Sequence, residues 1–190
     1  GLHKGFVLEV EPGFTALVGP NGAGKTTILR QIKEYAAREG IELWEYSNVV
    51  DGGQTAKSRY QLAGDIESLA TSLMASEGEN VALNFSNKVG ELGARVRRAV
   101  AEKRPLVVLL DAIDSGASID RARELRGLFD LIYEQDISKG AEVYIVMAVN
   151  SYELAKGPTD CVNVRTGKHM RFRSYDTYAE FVCSFEEKFK

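Results

Sequence analysis

The sequence predicts an α/β fold in which a mainly parallel sheet is flanked by helices. Two observations carry that expectation. Short apolar runs alternate with longer stretches whose apolar residues fall at helical spacing, the pattern of strands joined by crossover helices. A glycine-rich segment also stands between the first apolar run and the first helical stretch, where a tight strand-to-helix turn belongs.

The elements follow in order. Phe14 to Val18 (FTALV) reads as a buried strand ending at Gly19. Ile28, Leu29, Ile32, Tyr35 and Ala36 then mark one face of a helix, and Gly40 supplies its stop. Ile41 to Tyr46 predicts a second strand, followed by a loop with Asp51, Gly52 and Gly53. From about Ser58 to Glu102 the pattern is mostly helical, with Phe85, Val89, Leu92, Val96 and Ala99 on one face. Pro105 ends that stretch, and Leu106 to Leu110 (LVVLL) is continuous enough for a strand covered on both faces. Leu125, Leu128, Phe129, Ile132 and Tyr133 predict another helix, and Val143 to Val149 another strand. Cys161 to Val164 and His169 to Phe172 flank a Thr-Gly turn as a hairpin would, and a last helix is expected over Asp176 to Phe189. The whole reads as one domain, 1–190, with a core of 1–54 and 104–190. A helical subdomain of about 55–103 is inserted in it, and a hairpin plus helix closes it.

Composition bounds what such a domain does. A hydrophobic share of 44% and a charged share of 27% suit a globular chain with a real core. No apolar run nears the roughly 20 residues that span a bilayer, and no leader opens the chain, so a cytoplasmic protein is expected. Its start at Gly1, with the glycine-rich segment almost at once, fits a chain that begins inside a longer reading frame. A net charge of −3 gives no general pull on nucleic acid or anionic membrane. Arg165, Lys168, Arg171 and Arg173 form the best local basic patch, although a solvated strand face carries such charges too. The two cysteines, Cys161 and Cys183, form no CxxC pair and read as reduced thiols; His3 and His169 suggest no metal site.

Gly19-Pro20-Asn21-Gly22-Ala23-Gly24-Lys25-Thr26, with Thr27 behind it, fits G-x-x-x-x-G-K-[ST] between a strand and a helix. Glycines let the backbone wrap a phosphate chain so that its N–H groups point inward. Lys25 sets a compact positive charge against the β- and γ-phosphates, the Thr26 hydroxyl takes a magnesium position, and the helix adds its N-terminal dipole. This is the P-loop arrangement, and its expected ligands are ATP and Mg2+. Leu106 to Asp111 (LVVLLD) is its expected partner, an apolar strand delivering a carboxylate to the metal.

At this point the residues resemble a family. GPNGAGKTT at 19–27 is similar to the phosphate loop of ABC-type ATPases, and LLDAIDSG at 109–116 resembles their LLDEPTSG segment. The resemblance implies two chains sandwiching two nucleotides. It also implies that Ser76-Glu77-Gly78-Glu79 stands for the family's S-G-G-Q or S-G-G-E signature, with Ser76 and Gly78 reaching the nucleotide of the opposite chain. The same S-x-x-E is a capping box, which is compatible with that role. Gln54, or alternatively Gln61, would sense magnesium, and Ser115 to Asp120 would form the dimer-contact loop. Asn150 stands where the family has its switch histidine; it either touches phosphate or caps the helix starting near Tyr152. Phe6 is the one candidate for stacking on adenine.

Ala112 departs most from that family, which places there a glutamate that activates water; a methyl group cannot do so. The substitution is engineered, or natural in a lineage that uses ATP binding as a switch, or offset by Asp114 two residues on. Tight ATP binding with slow or absent hydrolysis is expected. The leading expectation is a compact SMC-like or bacteriophage-type ABC ATPase that forms a homodimer around Mg-ATP and drives a DNA- or protein-linked process. A transporter's nucleotide-binding subunit and a non-catalytic ATP-gated binding module are the alternatives.

Overall fold

Parallel strands buried on both faces need continuous apolar runs, and Leu106–Leu110 (LVVLL) supplies one that is buried throughout. The computed structural model describes residues 7–47, 77–115, 117–135, 137–157 and 159–185. Five strands run parallel: β1 (Gly13–Val18), β2 (Glu42–Ser47), β3 (Leu106–Asp111), β4 (Val143–Ala148) and β5 (Asp160–Asn163). A short β6 (His169–Met170) adds antiparallel to β5, giving the order β2-β3-β4-β1-β5-β6. Between them come the helices α1 (Lys25–Glu39), α2 (Glu77–Glu102), α3 (Ile119–Gln135), the single turn α4 (Tyr152–Ala155) and α5 (Tyr175–Cys183).

Side chains alternate across this sheet and so divide into two cores. Ala16, Val18, Val108, Leu110, Ile145 and Met147 face one way, where Leu92, Val96 and Ala99 of α2 and Leu125 and Phe129 of α3 cover them. Leu17, Val107, Leu109, Val146 and Ala148 face the other, under Ile28 and Leu29 of α1. At roughly 25 cal/mol per Å2 of buried apolar surface, these two layers supply the main drive for folding.

The caps follow local chemistry. Gly40 ends α1 at φ 67°, and the next amide, of Ile41, donates to Ala36 O at 2.9 Å. Ser174 opens α5 with a capping box completed by Thr177. That helix begins at Tyr175 and ends at Cys183, so it is shorter than the periodicity predicts; residues 186–190 lie outside the described part. The second hairpin strand is also shorter than expected, because Phe172 leaves the β5 ladder to bridge Lys156 and drop into the core.

Topology fixes where a ligand belongs. From β1 the chain crosses α1 to the far edge, whereas from β4 it crosses to β5 on the other side of β1. Loops that leave neighbouring parallel strands in opposite directions open a crevice at the strands' C-terminal ends. The turns after β1, β3 and β4 all sit there.

Candidate nucleotide site

The loop after β1 needs backbone that only glycine adopts freely. Gly19 has φ 152°, and a Cβ there would come within 2.8 Å of Val164 Cγ2, just beyond β5. Gly24, at φ 101°, is the N-cap of α1, and no side chain caps that helix start. The first amides of α1 therefore face the cleft unclaimed by a capping group, the condition for anion capture.

Lys25 is buried and folds over the loop, donating to Gly19 O at 2.7 Å and Pro20 O at 3.3 Å. Burial lowers its pKa, while the carboxylates of Asp114 and Asp111 work in the opposite direction. The cation is thus held beside the loop at some desolvation cost, which an incoming phosphate would offset. Asp111 ends β3, two strands from β1, yet the Thr26 hydroxyl donates to its Oδ1 at 3.3 Å. Two hard oxygen donors meet here from elements 85 residues apart. Mg2+ takes few protein ligands and keeps waters or substrate phosphates for the rest, so this donor set fits it. Among the described residues no cluster of three or more His, Cys, Asp or Glu forms a self-sufficient metal site.

A cleft of about 270 Å3 joins these groups, walled by Asn21, Gly22, Lys25, Thr26, Thr27 and Asp111 and closed by Ala112 and Asn150. Pro20 and Gly24 also line it, while Ala23 donates its amide to Pro20 O and holds the loop's curve. Ala112 sits at φ 55°, in a left-handed region where a side chain is strained. Ala112 lines the cleft, and its turn is closed by Ser115 N donating to Ala112 O.

Asp114 is buried and does not line the cleft; it braces the cleft wall. Its Oδ2 accepts from Asn150 N at 2.7 Å and Ser151 N at 2.6 Å, and its Oδ1 has no hydrogen-bond partner. Burial raises the carboxyl's pKa; the amides and Lys25 pull it back. The capping alternative for Asn150 falls: Ser151 is the N-cap of α4 and accepts from Glu153 N, because the cap must directly precede the first helical residue. Gln54, Gln61, Ser76 and Phe6 lie outside the described residues, and Gly78 is placed in the first turn of α2.

Two residues of this site were not legible in the sequence. Tyr178 of α5 donates from its hydroxyl to Asn150 O at 2.5 Å. Arg126 of α3, also buried, donates to Lys156 O at 2.9 Å and to Thr159 Oγ1 at 2.6 Å and pairs with Asp130 at 2.8 Å, tying α3 to the segment behind Asn150. Asp130 apart, their partners lie 28 or more residues away, and no local pattern announces such contacts.

No helix among the described residues is long and apolar enough to cross a membrane. No curated protein matches the chain. A family model described as AAA domain matches residues 9–154. The match takes in the phosphate loop, Asp111 and Asn150 and stops before the hairpin. With that loop seated at the crevice of a mainly parallel sheet, the chain belongs to the AAA domain family of P-loop NTPases.

Proposed function

We propose that the chain is an ABC-type ATPase of the compact, SMC-like or bacteriophage kind, binding Mg-ATP at this cleft and dimerising around it. The meeting of the Thr26 hydroxyl and the Asp111 carboxylate at 3.3 Å, at the mouth of the phosphate loop, is the observation that supports it. Backbone amides of Gly22 to Thr26 and the Lys25 ammonium hold the phosphates; Thr26 and Asp111 hold the cation, with Gln54 as its sensor. Bound magnesium neutralises charge on the β- and γ-phosphates. Asn150, which lines the cleft, would offer its side-chain amide to the terminal phosphate, while Asp114 holds its backbone N–H. In this reading the core of 1–54 and 104–190 carries the loop, and the helical subdomain of about 55–103 presents Ser76 and Gly78 to the partner's nucleotide. Closing on ATP then drives a DNA- or protein-linked process in the cytoplasm.

Turnover is slow in this reading, because no carboxylate stands at position 112 to orient water. A second reading, an ATP-gated binding module without hydrolysis, is favoured by Ala112 itself and by Asp114's commitment to two amides. Calorimetry and a phosphate-release assay test both. Lys25→Ala should abolish Mg-ATP binding, and unchanged affinity would overturn the proposal. Ala112→Glu should raise hydrolysis by about a hundredfold, the usual scale of general-base assistance. If ATP binds but Ala112→Glu adds no turnover, the gated module is the correct reading.

A further inference from the structure

The segment beyond β5 carries a feature that the nucleotide cleft does not use. Between Cys161 and Tyr175 the chain holds Arg165, Lys168, Arg171 and Arg173 and no Asp or Glu, in a protein whose net charge is −3. Phe172 is buried and Met170 half-buried, whereas His169, Arg171 and Arg173 are exposed, so the extended backbone sorts its cations outward. Ser174 is itself extended, at φ −145° and ψ 162°, which carries the alternation on to Tyr175. Tyr175 is 65% exposed, an unusual setting for a large aromatic ring. Tyr152 meets it edge-to-face, with centroids 5.8 Å apart, and steadies it.

We propose that this outward row, Arg171, Arg173 and Tyr175, binds single-stranded nucleic acid, the arginines on its phosphates and the tyrosine against a base. Arg171 and Arg173 stand two residues apart on the segment between β6 and α5, about 6.6 Å at extended spacing, and Tyr175 opens α5 just beyond them, so the row tracks a backbone rather than gripping a point charge. His169 is already engaged by Asp160 at 2.5 Å, but Arg171 and Arg173 pair with no carboxylate among the described residues. A strand that carried cations only to discourage edge pairing would need no exposed ring at its end. Cations interleaved with a fixed aromatic are the composition of single-strand grooves, because every unpaired base offers a π-face whereas a duplex keeps its faces stacked. This inference does not depend on hydrolysis or on dimerisation.

Fluorescence anisotropy on the full chain at low salt tests it, with labelled oligothymidylate, a blunt duplex and anionic phospholipid vesicles as separate probes. Oligothymidylate should bind. The double variant Arg171→Glu/Arg173→Glu should lose about tenfold or more in affinity and flatten the plot of log K against log salt by about 1.4, two phosphates at about 0.7 each. Tyr175→Ala should weaken oligothymidylate severalfold and leave that slope unchanged. Calorimetry with Mg-ATP shows that each variant is folded, and separates a failure here from a failure at the nucleotide cleft. Equal binding by wild type and double variant, or no binding at all, overturns the proposal. So does a duplex or vesicle bound as tightly as the oligonucleotide with Tyr175→Ala neutral.

Discussion

Asp114 keeps a carboxylate in the interior with one oxygen held by two amides and the other unpaired. Its pKa lies above the ordinary 3.8, because burial disfavours the charged form more than the amides and Lys25 favour it. The sign of the pH effect follows. Above 3.8 the unfolded chain gives up this proton before the folded chain does, so folded stability falls as pH rises through the folded pKa and is unaffected below both values. Asp114→Asn keeps an oxygen for the two amides and cannot ionise. At neutral pH its melting temperature should exceed that of the wild type, by the equivalent of about 1 kcal/mol. The gap should close as the pH falls toward the carboxylate range. Parallel melting curves for the two proteins across that range would refute the assignment. Cys161, by contrast, is inert: burial pushes its thiol up to about 12, whereas Cys183 is exposed. The sequence identified Lys25, Thr26 and Asp111 because motif chemistry demands those residues at that spacing. It offered Asp114 as a stand-in for the missing glutamate and not as a brace of the Asn150 loop, since its partners lie 36 and 37 residues away.

At the level of elements, the loop after β4 is held from two sides, by Asp114 on its amides and by Tyr178 on its carbonyl. The second hold comes from α5, the last described helix, so the chain's C-terminal part contributes to the wall of a cleft built by its first part. Burial pushes the Tyr178 phenol up from its ordinary value, with Asp114 adding to the shift, so the hydroxyl stays a donor at neutral pH. Tyr178→Phe removes one neutral hydrogen bond and little packing. It should cost about 1 kcal/mol of stability in urea and weaken Mg-ATP binding severalfold by calorimetry. An unchanged affinity alongside the lost stability would make Tyr178 a core residue only. The strands were readable because continuous apolar runs suit strands buried on both faces. Helix caps were readable where glycine or serine chemistry is local, as at Gly40. The cap of α4 was not, because Asn150 and Ser151 are equally good cap residues and only the backbone at Ser151 decides between them.

For the whole molecule, the phosphate loop, Asp111 and Asn150 share one end of the sheet and line one cleft. If the Ser76–Gly78 segment completes that site in a second chain, Mg-ATP should shift the protein from monomer to dimer in light scattering. Ser76→Arg should abolish the shift while ATP still binds. A dimer that persists in that variant would place the interface elsewhere. The fold class and the loop were legible because they rest on periodicity and on an eight-residue motif. Assembly was not, since it depends on surfaces whose complementarity no single chain spells out.

The strand order has a mechanical side. β4 runs between the strand that ends in the phosphate loop and the strand that ends in Asp111, which sets those two about 10 Å apart at the usual strand spacing. A phosphate chain and its cation, held from both, would lie across the end of β4 as a rivet lies across a seam. A force parting β3 from β1 would then have to break the ligand's contacts along with two ladders. Loading the cleft would make three strands yield together, and the empty sheet would be the one that tears strand by strand.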